Sequence, residues 1–552
     1  MLSLQVTGAG IICLMFLSSA GAESPDATAP PIATVRTGQL RGSLEDGIYI
    51  FKGIPYGAPT GGANRFKPPQ PPKTWTGIRD ARNFGDRCPQ MAPTGGRELP
   101  SEAGESEDCL VLNVWTPGVH DGKQRPVMVW LHGGGYISGS GDSPIYDGAR
   151  LAKRGDTVIV TLNHRLNVLG YLYLGGIAGP EYADSGNVGQ LDLIAALQWV
   201  RDNITEFGGD PQRVTIFGES GGGRKVANLM AMPLAKGLFQ RAILQSGFEF
   251  TAIPAEKATE TADALLAALN LRRNQVDELQ TLPVAKLQEA FRKVTGGTPV
   301  GVGPVLDGRS VPRDPFAPDA PPASIDVPAI VGSNKDETTF LFPPPDAFDL
   351  DWAGLKKHLT AALIDFSIDS DTEWESLKKH PTTALPCADV DRLIADLRAL
   401  RPRATPSDLY FTVTTELGMG AHARTFATRK AAQGGAPVYL YRMEWETPVD
   451  GGRMRAHHAL DLPLMFDNVD KAAAMIGTGA ADAQRVADAM SAAWLAFART
   501  GNPNAPGLAY WPPFDSKYQP ALVFNVSSRA VTDPIHDVRL LLDNLPLACP
   551  YK

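Results

Sequence analysis

The most constraining feature of this chain is a short apolar run that leads directly into a turn of the form Gly-x-Ser-x-Gly. Residues 214–217 read VTIF, residues 218–222 read GESGG, and a helical pattern follows over 225–232. A strand–turn–helix junction of this form holds its serine at a strained backbone position and exposes the hydroxyl above the sheet. Three consecutive glycines, 221–223, would destabilise an ordinary helix start, so they indicate close approach of neighbouring chain. We therefore predict that Ser220 is a nucleophile.

Other short apolar runs indicate how the rest of the chain folds around this turn. They are uninterrupted rather than alternating, which is typical of strands covered on both faces. The predicted strands cover residues 127–131, 158–162, 214–217, 329–331 and 438–441. Helical patterns at 191–203 and 486–500 lie among and after them, the second ended by a Gly-Asn-Pro sequence. Strands that alternate with helices predict an α/β fold with a central, mostly parallel sheet and helices on both faces.

A glycine triplet precedes the serine turn in the chain. Residues 132–135 read HGGG and follow the predicted strand 127–131. Consecutive glycines can turn backbone N–H groups towards one point, which is what a developing oxyanion needs. The order of glycine loop and then serine turn is similar to that of α/β-hydrolases.

Several segments together resemble the type-B carboxylesterase and cholinesterase-like family of α/β-hydrolases, over nearly the whole chain after the first 22 residues. The resemblance rests on residues 51–56 (FKGIPY), 107–117 (EDCLVLNVWTP) and 217–222 (FGESGG). It implies that the fold is that of the α/β-hydrolases and that the oxyanion donors are Gly134, Gly135 and Gly221. Gly221 stands where the family usually has alanine, a change that keeps the backbone N–H.

A serine nucleophile needs a base beside it. Residues 457–463 read HHALDLP and lie late in the chain, where hydrolases of this order place their histidine. The segment is similar to the family's His-Ala-x-Glu-x-Pro sequence, which selects His458 over His457. Asp461 stands where the family usually has glutamate, so the residues supporting the histidine are expected to differ here.

The third member of a catalytic triad is an acid that orients the histidine. Residues 332–337 read GSNKDE and follow the predicted strand 329–331, at the end of a strand where α/β sheets present functional loops. The resemblance assigns the acid to Glu337, although Thr338 replaces the glycine that usually follows. Asp336 is the competing choice, and the residues alone leave the two open.

Together these residues predict a serine hydrolase that cleaves carboxylic esters of small molecules through an acyl-enzyme, with no metal or cofactor. Amides, carbamates or lactones could be cleaved by the same triad, because the shape of the pocket selects the leaving group. A non-catalytic binding relative of the same fold is a further alternative, but such relatives typically lose a triad member. Arg224 follows Ser220 by four residues. It is expected either to bind a substrate carboxylate, favouring bulky or carboxylate-bearing natural-product esters, or to form a structural ion pair.

The first 22 residues carry no charge and contain a short apolar run before Ala20-Gly21-Ala22, so we predict a cleaved signal peptide over 1–22. A single domain is then expected over 23–552, in a secreted or periplasmic protein without a stable membrane span. The four remaining cysteines favour disulfides in an exported chain. Cys88 and Cys109 are close in sequence and are predicted to pair, as the resemblance also implies, which leaves Cys387 with Cys549.

Charge and spacing exclude other classes of protein. Lys and Arg number 52 against 60 Asp and Glu, a formal charge of −8 with no basic block, which argues against nucleic-acid binding. No Cys-x-x-Cys spacing predicts a zinc site. The sequence leaves the oligomeric state open.

Overall fold

The computed structural model describes residues 30–91, 101, 103–296, 301–341, 343–367 and 389–545. The predicted signal peptide over 1–22 and the predicted pair of Cys387 with Cys549 lie outside these residues. The assignment of 23–552 to one domain stays a prediction.

The strands build one large sheet and two small ones. In chain order they are Ile32–Val35 (β1), Gly38–Arg41 (β2), Ser43–Glu45 (β3), Ile48–Pro55 (β4), Ile78–Asp80 (β5), Val111–Thr116 (β6), Arg125–Leu131 (β7), Val158–Leu162 (β8), Gly209–Glu219 (β9), Arg241–Gln245 (β10), Ile253–Pro254 (β11), Val305–Leu306 (β12), Ala329–Asn334 (β13), Val438–Met443 (β14), Pro520–Phe524 (β15) and Arg529–Thr532 (β16). The large sheet has 11 strands in the order β16-β15-β14-β13-β10-β9-β7-β8-β6-β4-β3.

The centre of this sheet is parallel and its margins are antiparallel. Parallel pairing runs without interruption from β8 through β7, β9, β10, β13 and β14 to β15. Antiparallel pairs join β3 to β4, β4 to β6, β6 to β8 and β15 to β16. The predicted α/β fold with a mostly parallel sheet is confirmed, because each predicted strand lies within the parallel part.

Helices cover both faces of the sheet. In chain order they are Ala149–Gly155 (α1), Asn167–Tyr171 (α2), Val188–Asn203 (α3), Gly221–Ala231 (α4), Ala255–Ala268 (α5), Val284–Thr295 (α6), Trp352–Ser367 (α7), Val390–Leu400 (α8), Pro406–Thr415 (α9), Ala421–Ala432 (α10), Asp461–Met465 (α11), Ala473–Ile476 (α12), Ala480–Thr500 (α13) and His536–Asp543 (α14). The stop predicted after residue 500 is observed as a left-handed cap at Gly501, with φ of 79°.

Alternate residues of one strand show why the central runs are uninterrupted. Val127, Val129 and Leu131 of β7 pack into the core on one face of the sheet. Met128 and Trp130 pack into a separate core on the other face. A strand with helices on both sides has no polar face, so every residue from Arg125 to Leu131 is buried.

A disulfide joins Cys88 to Cys109, as predicted, and both residues are buried. The two cysteines are separated by 21 residues, a loop whose closure stabilises a fold by about 3 kcal/mol on the chain-entropy account. Across the described ranges, the helices are all too short or too polar to cross a membrane.

Candidate active site

Three loops of predicted function leave the sheet at the same edge. The glycine loop follows β7, the serine turn follows β9, and Glu337 follows β13. Since β7, β9, β10 and β13 are parallel, their carboxyl ends all lie at this edge, where open α/β sheets place their sites. His458 lies in the segment between β14 and α11. Strand β14 is parallel to its neighbour β13.

The serine turn has the strained geometry that its sequence predicts. Ser220 is the single residue between β9 and α4, with φ of 55° and ψ of −124°. A positive φ is costly for a residue with a side chain and persists only where the surroundings hold it. Here the Ser220 N–H donates to the Gln245 carbonyl at 2.8 Å, and the Ser220 carbonyl accepts from the Arg224 N–H at 3.1 Å. The half-buried serine is thus tied to β10 and to its own helix.

Backbone packing explains the glycines around Ser220. A Cβ on Gly222 would lie 2.0 Å from the Leu131 carbonyl oxygen, and one on Gly247 would lie 1.8 Å from the Ser220 carbonyl oxygen. A Cβ on Gly221 would lie 2.4 Å from the Gly135 nitrogen. The close approach predicted from the glycine run is therefore a backbone-to-backbone contact. It also gives a reason for glycine at position 221 of this chain.

The glycine loop packs directly against this turn. Gly134 and Gly135 have φ of 85° and 60°, values that side chains rarely tolerate. A Cβ on Gly133 would lie 3.4 Å from the Ser220 Cβ. The structure therefore brings the predicted oxyanion donors Gly134, Gly135 and Gly221 to the immediate neighbourhood of the serine.

Glu337 and His458 form a buried hydrogen-bonded pair. The Nδ1 of His458 lies 2.6 Å from Oε2 of Glu337. The other carboxylate oxygen, Oε1, accepts from the Ser246 hydroxyl at 2.5 Å and from the Asn334 N–H at 2.6 Å. With both oxygens engaged, the carboxylate cannot turn away, so it fixes the orientation of the imidazole.

The second imidazole nitrogen points to the serine turn, where it meets a carboxylate. His458 Nε2 lies 3.1 Å from Oε1 of Glu219, the residue that precedes Ser220. Burial lowers the pKa of His458, but the Glu219 and Glu337 carboxylates outweigh it and raise the pKa to about 9. Burial also raises the pKa of Glu219 to about 8, although His458 opposes that change. The His458 imidazole and the Glu219 carboxylate are therefore in direct electrostatic contact at the serine turn.

Sequence reasoning missed Glu219. The feature of the sequence that could have indicated it is its position, because Glu219 is the variable residue of the Gly-x-Ser-x-Gly turn immediately before Ser220. The serine turn directs the buried Glu219 side chain at His458 rather than at solvent.

The two competing candidates face elsewhere. Asp336 lies 3.6 Å from the Lys335 ammonium and 4.0 Å from the Arg455 guanidinium. The Nδ1 of His457 lies 2.6 Å from the His458 carbonyl oxygen, and its ring stacks on Phe340 at 5.5 Å. The Asp336 carboxylate and the His457 Nδ1 are therefore directed at groups other than the Glu337 carboxylate and the His458 imidazole.

Asp461, which stands where the resembling family usually has glutamate, is hydrogen-bonded to residues that hold the site. Its carboxylate accepts from Gln245 Nε2 at 2.7 Å, from the Tyr441 hydroxyl at 3.1 Å and from Asn334 Nδ2 at 3.3 Å. Gln245 and Asn334 also hold the backbone of Ser220 and His457. The aspartate therefore links the two loops through Gln245, whose backbone carbonyl holds Ser220, and through Asn334, whose side-chain amide holds His457.

Arg224 forms an ion pair. Its Nε and one terminal nitrogen donate to the two oxygens of Glu249 at 2.6 and 2.9 Å. The guanidinium lies 4.9 Å from the centre of the Tyr136 ring, whose hydroxyl donates to the same carboxylate at 2.8 Å. The structural ion pair expected as one alternative is thus present.

Within the described ranges, no group of three or more His, Cys, Asp or Glu side chains is arranged to hold a metal ion. What the loops do assemble is a strained serine, a glycine loop and an oriented histidine at the carboxyl edge of a mostly parallel sheet. This combination defines an α/β-hydrolase.

Comparison with known proteins gives the family. The profile of the carboxylesterase family matches residues 29–540, and the chain belongs to that family and is a carboxylic ester hydrolase. The para-nitrobenzyl esterase of Bacillus subtilis (strain 168) is 34% identical over 517 residues, which cover 92% of this chain and 97% of that one. The fumonisin B1 esterase of Sphingopyxis macrogoltabida is 34% identical over 89% of this chain and 88% of its own. A crystal structure of the Geobacillus stearothermophilus carboxylesterase at pH 6.2 has a TM-score of 0.76 at 35% identity, covering 92% of this chain and 99% of that chain.

Proposed function

We propose that Ser220, His458 and Glu337 form the catalytic triad of this esterase, with Gly134, Gly135 and Gly221 as the oxyanion hole. The observation that carries the proposal is the His458 imidazole. Its Nδ1 is held by Glu337 at 2.6 Å while its Nε2 faces the serine turn. A base oriented in this way next to a strained, half-buried serine is the arrangement that activates a hydroxyl nucleophile.

The reaction proceeds in two acyl transfers. Ser220 Oγ attacks the ester carbonyl while its proton passes to His458 Nε2, and Glu337 stabilises the imidazolium. The carbonyl oxygen becomes an oxyanion that the backbone N–H groups of Gly134, Gly135 and Gly221 stabilise. His458 then protonates the leaving alcohol, which leaves an ester on Ser220. Water, deprotonated by the same histidine, hydrolyses that ester and releases the carboxylic acid.

Glu219 sets the pH at which this base becomes available. His458 can accept the Ser220 proton only when its imidazole is neutral. Because the carboxylates raise the pKa of His458, the fraction of enzyme with a neutral imidazole, and with it the rate, increases as the pH rises towards about 9.

The substrates proposed are small-molecule carboxylic esters, including bulky or carboxylate-bearing natural-product esters. The fumonisin B1 esterase among the relatives supports the breadth of this class. A carboxylate-bearing ester would be recognised through Arg224, whose side chain is 36% exposed. Since Glu249 already occupies the guanidinium, a substrate carboxylate would have to displace Glu249 or share the guanidinium with it.

A hydrolysis panel tests the proposal. It contains p-nitrophenyl esters of increasing acyl size, esters with a free carboxylate, and the matching anilides. We expect Ser220→Ala to lower kcat by about 10⁵-fold or more on every ester, and mass spectrometry of the wild type to find the acyl group on Ser220. Full activity in Ser220→Ala would refute the triad. Faster cleavage of anilides than of esters would favour the amidase alternative.

Arg224→Gln in the same panel tests the substrate class. Loss of activity on carboxylate-bearing esters only would support recognition by Arg224. An equal change on neutral and anionic esters would reject it and leave Arg224 as the partner of Glu249.

We also propose that the protein works outside the cytoplasm, as a secreted or periplasmic enzyme. The Cys88–Cys109 disulfide supports an oxidising compartment, in line with the signal peptide predicted over 1–22. Cell fractionation followed by N-terminal sequencing tests this. Export with a mature terminus at Glu23 is expected, and an uncleaved cytoplasmic protein would contradict it.

A further inference from the structure

A buried lysine lies behind the glycine loop. Lys225 belongs to α4, and its side chain is fully buried. Its Nζ donates to the His132 carbonyl at 2.9 Å and to the Gly135 carbonyl at 2.8 Å. These two carbonyls bracket the segment 133–135. One amine therefore holds both ends of the loop that carries two of the proposed oxyanion donors.

We propose that Lys225 is a positioning residue that clamps the glycine loop and thereby keeps the N–H groups of Gly134 and Gly135 aimed at Ser220. The inference rests on the proposed function, since it assigns a task within the same oxyanion hole. Lys225 acts through the loop, with its amine directed at backbone carbonyls.

The glycine loop has a physical need for such a clamp. Glycine peptides rotate more freely than others, and Gly134 and Gly135 both adopt positive φ, so the free loop has many competing conformations. An oxyanion hole works because its donors are already in place when charge develops. Fixing the carbonyls of residues 132 and 135 removes the rotations at both ends of the segment and leaves the N–H groups between them in one arrangement.

The chemistry of the donor fits the two acceptors. Burial, together with the neighbouring Arg224, lowers the pKa of the Lys225 ammonium well below its usual value. The Nζ nitrogen carries at least two N–H groups, and two carbonyls accept from it. Leaving these carbonyls without a donor would be costly in a buried place, so the pair of bonds holds the loop firmly.

Packing adds to the clamp from the same helix. Gly221 touches Gly135 of the loop, and Gly222 touches Leu131 at the end of β7, so closely that a Cβ at either position would overlap backbone atoms. The first turn of α4 thus sets the distance to the loop, and Lys225, one turn further on, sets the orientation of its carbonyls.

The chain offers a matched control in Lys430. This lysine is also fully buried, and its Nζ donates to the carbonyls of Ile325 at 3.2 Å and Ala436 at 3.3 Å. These carbonyls precede β13 and β14, so Lys430 lies at the amino edge of the sheet, opposite the site. Removing either amine takes a donor from two backbone carbonyls, but only Lys225 touches the glycine loop.

The test compares Lys225→Met with Lys430→Met by thermal unfolding, by kcat and KM on p-nitrophenyl butyrate, and by inhibition with an alkyl trifluoromethyl ketone. Ser220 would convert that ketone to a tetrahedral hemiketal whose oxyanion needs the hole. For Lys225→Met we expect kcat to fall about 10- to 100-fold with KM within about twofold. The inhibition constant should rise by the same factor as kcat falls. Lys430→Met should lose a similar amount of thermal stability and keep its kcat.

Unchanged kcat in folded Lys225→Met would overturn the clamp, as would an equal loss of kcat in both variants. If Lys225→Met does not fold, Lys225→Gln replaces it, because its side chain stays polar but is one atom shorter and is expected to reach at most one of the two carbonyls. Lower kcat at constant KM in Lys225→Gln supports the clamp, and wild-type kcat overturns it. Ser220→Ala separates the two proposals, since an active Ser220→Ala refutes the triad whatever Lys225 does.

Discussion

The serine turn and the acid–base loops meet at one site, but different forces hold them. Around Ser220 the contacts are between backbone atoms, and a Cβ on Gly222 or Gly247 would overlap a carbonyl oxygen. Glu337 and His458 hold each other through their side chains. The residue before each has the same type of ionisable group, but Asp336 faces Lys335 and the Nδ1 of His457 faces a backbone carbonyl. Backbone packing therefore specifies residue type at the turn, whereas side-chain direction specifies which of two neighbours joins the buried Glu337–His458 pair.

The strongest test of this difference replaces each of the two histidines in turn. His458→Gln should lower kcat by about 10⁵-fold, because no base remains beside Ser220. His457→Gln should stay within about tenfold of wild type, because its ring packs on Phe340 and its Nδ1 meets the His458 carbonyl. Steady-state kinetics on one p-nitrophenyl ester decides, and a larger loss in His457→Gln would reverse the assignment.

The acid pair should show the next largest effect. Glu337→Gln should lower kcat by about 10³- to 10⁴-fold, since the amide can neither hold the imidazole in the same tautomer nor stabilise its charge. Asp336→Asn should lose stability but stay within about tenfold in kcat, because its carboxylate faces Lys335 and Arg455. Comparable loss of kcat in the two folded variants would contradict the selection of Glu337.

At the turn itself, one added methyl group should be enough to damage the site. Gly222→Ala places a Cβ 2.0 Å from the Leu131 carbonyl oxygen, so α4 or the glycine loop must move. We expect kcat about 100-fold lower and a free energy of unfolding about 3 kcal/mol lower. Gly354→Ala is the control, near the start of α7, where the nearest atom is a side-chain oxygen of Asp351 at 3.2 Å. Retention of full activity in Gly222→Ala would show that the backbone contact is not needed.

The smallest expected effect is a shift in pH dependence. A negative Glu219 raises the pKa of His458, so Glu219→Gln should lower that pKa. The protonated imidazole is inactive, and the acid limb of the kcat/KM profile should therefore move to lower pH, by about one unit. Asp336→Asn should leave this limb in place. A profile that moves to higher pH, or does not move, would contradict the contact between Glu219 and His458.

Much of the fold was predictable because the relevant signals are local. Uninterrupted apolar runs such as residues 127–131 and 158–162 mark strands covered on both faces, and β7 and β8 are buried along their whole length. The glycine run after Ser220 marked a close approach, which the structure resolves into contacts with Leu131 and Gly135.

Other features depended on residues far apart in the chain. Glu219 contacts His458 across 239 residues of sequence. Lys225 contacts the carbonyls of His132 and Gly135 across about 90 residues. Both contacts depend on how the loops converge in the fold. The pairing of Arg224 with Glu249 is likewise a matter of side-chain direction at the end of β10.

By itself, then, the sequence determined the class of fold, the serine, the glycine loop and the short list of acids and bases. Those properties depend on residue type and short-range spacing, because local backbone sterics and the periodicity of apolar residues are already present in the sequence. Only the tertiary structure decided which carboxylate holds the histidine, which one lies against its other ring nitrogen, and which lysine contacts the glycine loop. These are differences in direction and burial among chemically equivalent side chains, and direction and burial exist only once the sheet has brought the loops to one edge.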